Sequence, residues 1–214
     1  MQTIARHPLN FYESPSWFVT EMLRYVNLSG VIGEPCTGHG AIASLLQHCP
    51  SVKVWTNDID PGKPADFHYD ATLAKSWGKL PECDWVVTNP PYSDLAAPII
   101  VNAHKKARVG VVAFLLTSFL EPCSDRSLFL ENYPPSLVLI YPRFCFRKNK
   151  AGSRWSTDNG TISCFVWDKR TTEQRVIVRP ADKIIGFYKN PDRAINFESV
   201  LDILQSIVKR ENGN

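Results

Sequence analysis

Cys83-Asp84-Trp85-Val86-Val87-Thr88-Asn89-Pro90-Pro91-Tyr92 joins a short apolar run to a turn through which no strand can continue. The run before Asn89 reads as a buried strand by its length and its β-branched and aromatic content. Open α/β sheets bind ligands at the carboxyl ends of their strands, so this stretch delivers one amide side chain and a fixed pair of backbone carbonyls to a ligand-binding edge. Pro90 and Pro91 each fix φ and lack an N–H, which sets the carbonyl direction and removes competing donors. Such a set suits an amine. The chemistry that needs it is methylation of an exocyclic amine, whose delocalised lone pair is a poor nucleophile until two acceptors, the Asn89 side-chain oxygen and the Pro90 carbonyl, localise it. Tyr92 adds a flat face on which a base stacks, worth about 1–3 kcal/mol. Read alone, Asn-Pro-Pro-Tyr is also ordinary turn punctuation, so the rest of the chain decides its weight.

Upstream, Gly30-Val31-Ile32-Gly33-Glu34-Pro35-Cys36 reads as a strand running into Thr37-Gly38-His39-Gly40, a glycine turn that opens a helix through about Cys49. Glycines there let a ligand approach the backbone. No Lys-Ser or Lys-Thr comes after it, so this is not a phosphate loop, and Glu34 favours a cationic or zwitterionic ligand over a phosphate. A second strand over 52–57 ends at Asp58-Ile59, about twenty residues after the glycines, where doubly wound folds place an acid against a ribose diol. A third short strand over 66–69 ends at Asp70-Ala71, whose carboxylate suits an adenine amine. Each acid by itself is an ordinary loop residue. Four successive strand ends carrying Glu34, Asp58, Asp70 and Asn89 are not explained by chance turns.

Before these, Ser14 is expected to cap a helix with Pro15 at its first position and Phe18, Met22, Leu23 and Val26 on one face. After them come a helix over 96–108, a fifth strand over 109–116, a helical stretch over 121–132, a sixth strand over 136–141 and a seventh over 161–167. The alternation predicts a mostly parallel α/β sheet with helices on both faces. The sixth and seventh strands lack a helix between them and are expected to pair as an antiparallel hairpin. Residues 176–179 and an amphipathic C-terminal helix bearing Val200, Leu201, Ile203, Leu204 and Ile207 read as structural.

The hairpin loop Pro142-Arg143-Phe144-Cys145-Phe146-Arg147-Lys148-Asn149-Lys150-Ala151-Gly152-Ser153-Arg154-Trp155 holds five cations and three aromatics, and no acid occurs from Asn132 through Thr157. The small net charge of +3 is therefore concentrated here, as expected of a loop that meets phosphates and bases. Its basic residues supply salt-sensitive attraction, and Phe144, Phe146 or Trp155 a wedge or stacking surface. The competing reading is a solvated basic loop anchored by one aromatic.

A chain of 214 residues, 44% hydrophobic and 21% charged, fits one domain with a substantial core. No run of 18 or more apolar residues and no signal-peptide core appear, so a cytoplasmic location away from membranes is expected. The six cysteines form no CxxC pair. They read as buried thiols, and no metal is implied.

Together these motifs resemble the class I S-adenosylmethionine-dependent methyltransferases of the amino-methylating type, most closely the adenine-N6 DNA methyltransferases often found on phages and plasmids. Tyr12-Glu13-Ser14-Pro15 is similar to the family's N-terminal cofactor motif, and Glu34-Pro35-Cys36-Thr37-Gly38-His39-Gly40 to the glycine loop that cradles the cofactor's methionine part. Asp58 with Ile59 matches the ribose site, Asp70 with Ala71 the adenine site, and Asn89-Pro90-Pro91-Tyr92 the catalytic tetrapeptide. Phe144 or Phe146 stands where the family packs an aromatic on a flipped base. The resemblance implies a Rossmann-like seven-stranded sheet with an antiparallel last strand, S-adenosyl-L-methionine as cofactor, and nucleic acid, foremost double-stranded DNA, as partner. Arg143, Arg147, Lys148, Lys150 and Arg154 would then meet its backbone. RNA adenine and protein glutamine methyltransferases share the tetrapeptide and remain alternatives, as does a silent binding module. With no room for a separate target-recognition domain, sequence is read by such loops, read weakly, or read by a specificity partner; the residues give no oligomeric state.

Overall fold

The computed structural model describes residues 14–143 and 160–184. At its centre the apolar run forms β3 (Trp85–Thr88), buried at all four positions. Around it lie β1 (Gly30–Glu34), β2 (Val52–Thr56), β4 (Gly110–Leu116), β5 (Leu137–Ile140), β6 (Ile162–Asp168) and β7 (Arg175–Val178) in one sheet of order β2-β1-β3-β4-β6-β5-β7. β1 pairs in parallel with β2 and β3, β3 with β4, and β5 with β7. β6 runs antiparallel to both β4 and β5.

Continuous apolar strands need cover on both faces, and here both are covered. Val112 and Phe114 of β4 point into a core shared with α1 (Ser16–Met22) and α2 (Ala41–Leu46). Val111, Ala113 and Leu115 point into a second core with α3 (Ala74–Trp77), α4 (Ala96–Lys106) and part of α5 (Ser127–Asn132). This is the mostly parallel α/β sheet the alternating pattern predicts, in the Rossmann-like form the resemblance implies. Because the chain leaves β1 to build β2 on one side and then crosses to β3 on the other, the strand order reverses at β1 and β3, and a crevice forms outside their carboxyl ends.

The structure corrects three local expectations. Residues 66–69 are not a strand; a single bridge between Asn57 and Phe67 is all the ladder they form. Asp66 instead accepts hydrogen bonds from the N–H (2.8 Å) and hydroxyl (3.0 Å) of Thr56, so side-chain bonds replace backbone pairing. The seventh strand is β7, on the sheet edge beside β5. The antiparallel strand is therefore β6, the last strand expected from sequence, but not the last in the sheet. Finally, Pro15 rather than Ser14 stands at the cap position of α1, and no side chain caps that helix.

The helix expected over 121–132 is confined to α5, after a 3-10 turn at Thr117–Leu120. Cys83 and Cys164 are buried as expected, whereas Cys36 and Cys49 are half-buried and Cys123 is exposed. The C-terminal amphipathic pattern lies outside the described residues. Among those described, no helix is long and apolar enough to cross a membrane.

Candidate active site

β1 ends at Glu34, and the turn after it holds Gly38 at φ 57° and Gly40 at φ 84°. These left-handed conformations are disfavoured for residues with a Cβ. A Cβ at Gly40 would meet nothing within 4 Å, so the backbone angle, not crowding, requires glycine there, and the space beside it is open.

The sequence pattern aims Glu34 at a ligand. Its carboxylate instead turns inward: one oxygen accepts from the Ala43 N–H of α2 at 2.8 Å and from the Thr37 hydroxyl at 3.2 Å. It is 1% exposed, and burial pushes its carboxyl well above the usual range. Glu34 thus pins the loop to the helix. Burial likewise pushes the Cys36 thiol up to about 12, reinforced by the Asp58, Glu34 and Asp70 carboxylates. The acids at the end of β1, just after β2 and at the turn after Tyr69 therefore gather around one thiol. At neutral pH that thiol stays protonated and is no nucleophile.

Asp58 faces the glycine turn. One of its oxygens accepts from the Gly38 N–H at 2.8 Å, and the other from the Asp60 N–H at 3.0 Å. Each keeps a second acceptor position. Ile59 beside it is 55% exposed, an apolar face at a polar edge. Asp70 accepts from the Thr72 N–H (2.9 Å) and hydroxyl (2.6 Å), and the buried Ala71 is held by its carbonyl, which accepts from Trp77 Nε1 at 2.8 Å. Asn102 of α4 donates to the Thr72 carbonyl at 3.0 Å.

Asn57, less conspicuous in the sequence than its neighbour Asp58, is what joins these pieces. It is wholly buried, and its Nδ2 donates to the carbonyls of Pro35 and Tyr69, both at 2.9 Å. Its Oδ1 accepts from the Tyr69 N–H at 2.8 Å. One side chain thereby ties the glycine turn, the end of β2 and the approach to Asp70. The signal available in sequence is a polar amide between an apolar strand and an acid.

Asn89 lies directly after β3, with Thr88 and Pro90 buried and Pro91 and Tyr92 half-buried. Its Nδ2 donates to the Ser14 hydroxyl at 2.9 Å. The Pro91 carbonyl accepts from the Ser93 N–H at 2.9 Å, which turns the chain towards α4. Tyr92 packs against the core on the α1 side. Ser14 and Pro15 of the N-terminal motif, Asp58, Asp70 and Asn89 thus lie at the crevice edge of the sheet. Arg143, exposed, is the only basic-loop candidate within the described residues. Tyr12, Phe144, Phe146, Arg147, Lys148, Lys150, Arg154 and Trp155 lie outside them.

No protein-family model and no curated protein matches the chain in sequence. In structure it is similar to an Agrobacterium tumefaciens protein assigned as an O-methyltransferase, with a TM-score of 0.57 at 12% identity over 88% of this chain and 96% of that one. It is also similar to a Pyrococcus horikoshii protein assigned as an RNA methyltransferase, with a TM-score of 0.51 at 15% identity over 75% and 88%. At such identities the likeness is one of fold. The chain has the Rossmann-like fold of class I methyltransferases.

Proposed function

We propose that this chain transfers a methyl group from S-adenosyl-L-methionine to the exocyclic N6 amine of adenine in DNA. The observation that carries the reading is the placement of Asn89-Pro90-Pro91-Tyr92 at the end of β3, which pairs in parallel with β1, the strand that runs into the glycine turn. An amine-binding tetrapeptide and a nucleoside-type crevice thus share one edge.

The residues present fit the cofactor. Open space beside Gly40 leaves the turn accessible to its methionine part. The donor groups of a ribose and an adenine meet acceptors at Asp58 and Asp70, and the exposed Ile59 offers an apolar face to the ring. Pro35, Cys36, Gly38, Ala71, Tyr12 and Pro15 complete the proposed contact set, while Glu34 acts from behind the turn. When bound, the cofactor supplies an electrophilic methyl group on a sulfonium.

The chain's own part is to position and polarise the amine. The Asn89 side-chain oxygen and the Pro90 carbonyl accept hydrogen bonds from its two N–H groups, which concentrates the lone pair on nitrogen, Tyr92 stacks on the base, and the proton the amine sheds on methylation passes to solvent. Positioning of this kind supplies most of the rate in such a reaction. Cys36, held as a thiol, forms no covalent intermediate.

The cations of residues 143–154 favour a polyanionic substrate. Turning the base out of a duplex costs a few kcal/mol, offset by stacking and by these phosphate contacts. Single-stranded RNA, whose bases are already unstacked, meets the same loop composition and is the second reading. The test is transfer of labelled methyl from the cofactor to duplex DNA and to RNA of matched sequence. Label recovered as N6-methyladenine in DNA supports the proposal. Label in RNA alone overturns its substrate, and cofactor binding with no transfer to adenine in either overturns its chemistry.

A further inference from the structure

We infer that Ser14 is a positioning residue for Asn89, acting on the substrate amine through the Asn89 amide and not by contact with the cofactor. The inference rests on the proposed role of Asn89 as the amine's acceptor.

Ser14 lies 75 positions from Asn89 in the chain, yet its hydroxyl receives the Asn89 Nδ2 at 2.9 Å. It has no capping duty to explain its presence, since α1 begins after Pro15 without a side-chain cap. The helix that Ser14 leads into is firmly anchored. Residues Trp17 to Met22 of α1 are all buried, Trp17 meets Tyr141 edge-on with ring centroids 5.1 Å apart, and Glu21 is clasped by Arg179 beyond β7. The hydroxyl is thus presented just ahead of a buried helix to an amide whose plane is set by rotation about χ2.

An asparagine amide is nearly symmetric in shape, so only its hydrogen bonds decide which end faces an amine. Substrate N–H groups need the oxygen, and an amide turned the other way would set donors against donors. Accepting from the nitrogen end, as it does here, Ser14 leaves the oxygen end to the acceptor role and fixes the plane of the amide. The N-terminal motif then serves the chemistry itself.

The experiment compares wild type, Ser14→Ala, Ser14→Thr, Asn89→Ala and the Ser14→Ala/Asn89→Ala pair by three readouts: single-turnover methyl transfer to adenine, cofactor dissociation constant, and the Asn89 side-chain amide resonances, assigned by their absence in Asn89→Ala. Ser14→Ala is expected to slow transfer roughly tenfold, the scale of one lost hydrogen bond at the reacting geometry. It should leave cofactor affinity within about twofold and shift the Asn89 amide pair, with Thr restoring both rate and resonance. In the Asn89→Ala background, Ser14→Ala should cause no further loss. A weakened cofactor with an unmoved amide pair, or losses that multiply in the double variant, overturns the inference. If wild type transfers no methyl to adenine, the proposed function fails, and the amide resonances alone decide whether Ser14 holds Asn89.

Discussion

At the carboxyl edge of the sheet Glu34 and Asn57 are buried and spend their side chains on backbone groups of neighbouring segments. At the amino edge the acids pair with arginines that stand largely in solvent: Asp84, which also accepts from the Val31 N–H at 2.8 Å, with Arg108 at 2.9 Å, and Asp168 with Arg170 at 2.7 Å. Lys169 reaches across to the carbonyls of His104 and Ala107 at the end of α4. The His104 imidazole, half-buried against Phe129 and Tyr133, is pushed down to about 4 by burial and by the Lys169 ammonium, so it is neutral at physiological pH. The contrast is one of tolerance. Surface pairs are worth little and bend without consequence, whereas a buried amide that loses its partners leaves several groups unsatisfied at once. The edge that must hold a ligand in one geometry is built from the second kind.

The largest effect is expected at the knot. Asn57→Ala leaves the carbonyls of Pro35 and Tyr69 and the Tyr69 N–H without their partner, for a loss of about 3 kcal/mol and a melting midpoint lower by about 6–12 °C. Cofactor affinity, measured by calorimetry, should fall with it. An unchanged midpoint would show that the carboxyl edge is no more rigid than the amino one.

Gly40→Ala comes next and separates strain from function. The left-handed angle costs about 1–2 kcal/mol, but the added methyl meets no protein atom. A modest fall in stability accompanied by a loss of cofactor affinity of about ten times or more places the ligand over this turn. Equal affinity would remove it from there.

Glu34→Gln tests the buried carboxyl by pH. Because the folded-state pKa is raised, its favourable contribution is fully present below the unfolded value of about 4.3 and is lost as pH rises through the folded one. Glutamine keeps an oxygen for Ala43 and Thr37 and has no proton to lose. The variant's melting midpoint relative to wild type should therefore be higher at about pH 8 than at about pH 4. A difference that does not change with pH would mean that Glu34 carries no such penalty.

The smallest effect belongs to the amino edge. Arg170→Ala removes the exposed pair with Asp168 and the stacking of the guanidinium over Trp85. It should cost less than about 1 kcal/mol and leave methyl transfer unchanged.

How much of the molecule is legible in sequence depends on where the causes lie. β3 and β4 announce themselves because burial on both faces demands unbroken apolar runs, and the residues just beyond β1, β2 and β3 can be read as a shared edge once the alternation fixes strand direction. Residues 66–69 mislead because Phe67 and Tyr69 recur with a strand's period of two, and their rings do stack on one side, 6.3 Å apart. Partners decide a strand, and here Thr56 bonds to the side chain of Asp66. Residues 176–179 are not read as a strand for the converse reason: in β7 Val176 and Val178 are exposed, and Ile177 alone is half-buried against the core. Asn57 and Ser14 are invisible as links, since a bond such as that between Ser14 and Asn89, 75 positions apart, leaves no local pattern.

The central claim, that Asn89 at the end of β3 directs methyl transfer to adenine, is tested most directly by single-molecule sequencing of DNA from a methylation-deficient bacterial host expressing wild type or Asn89→Ala. The account predicts modified adenines in a defined sequence context with wild type and none with the variant, while the purified variant retains its cofactor affinity. Modified adenines at equal levels with both proteins would contradict it.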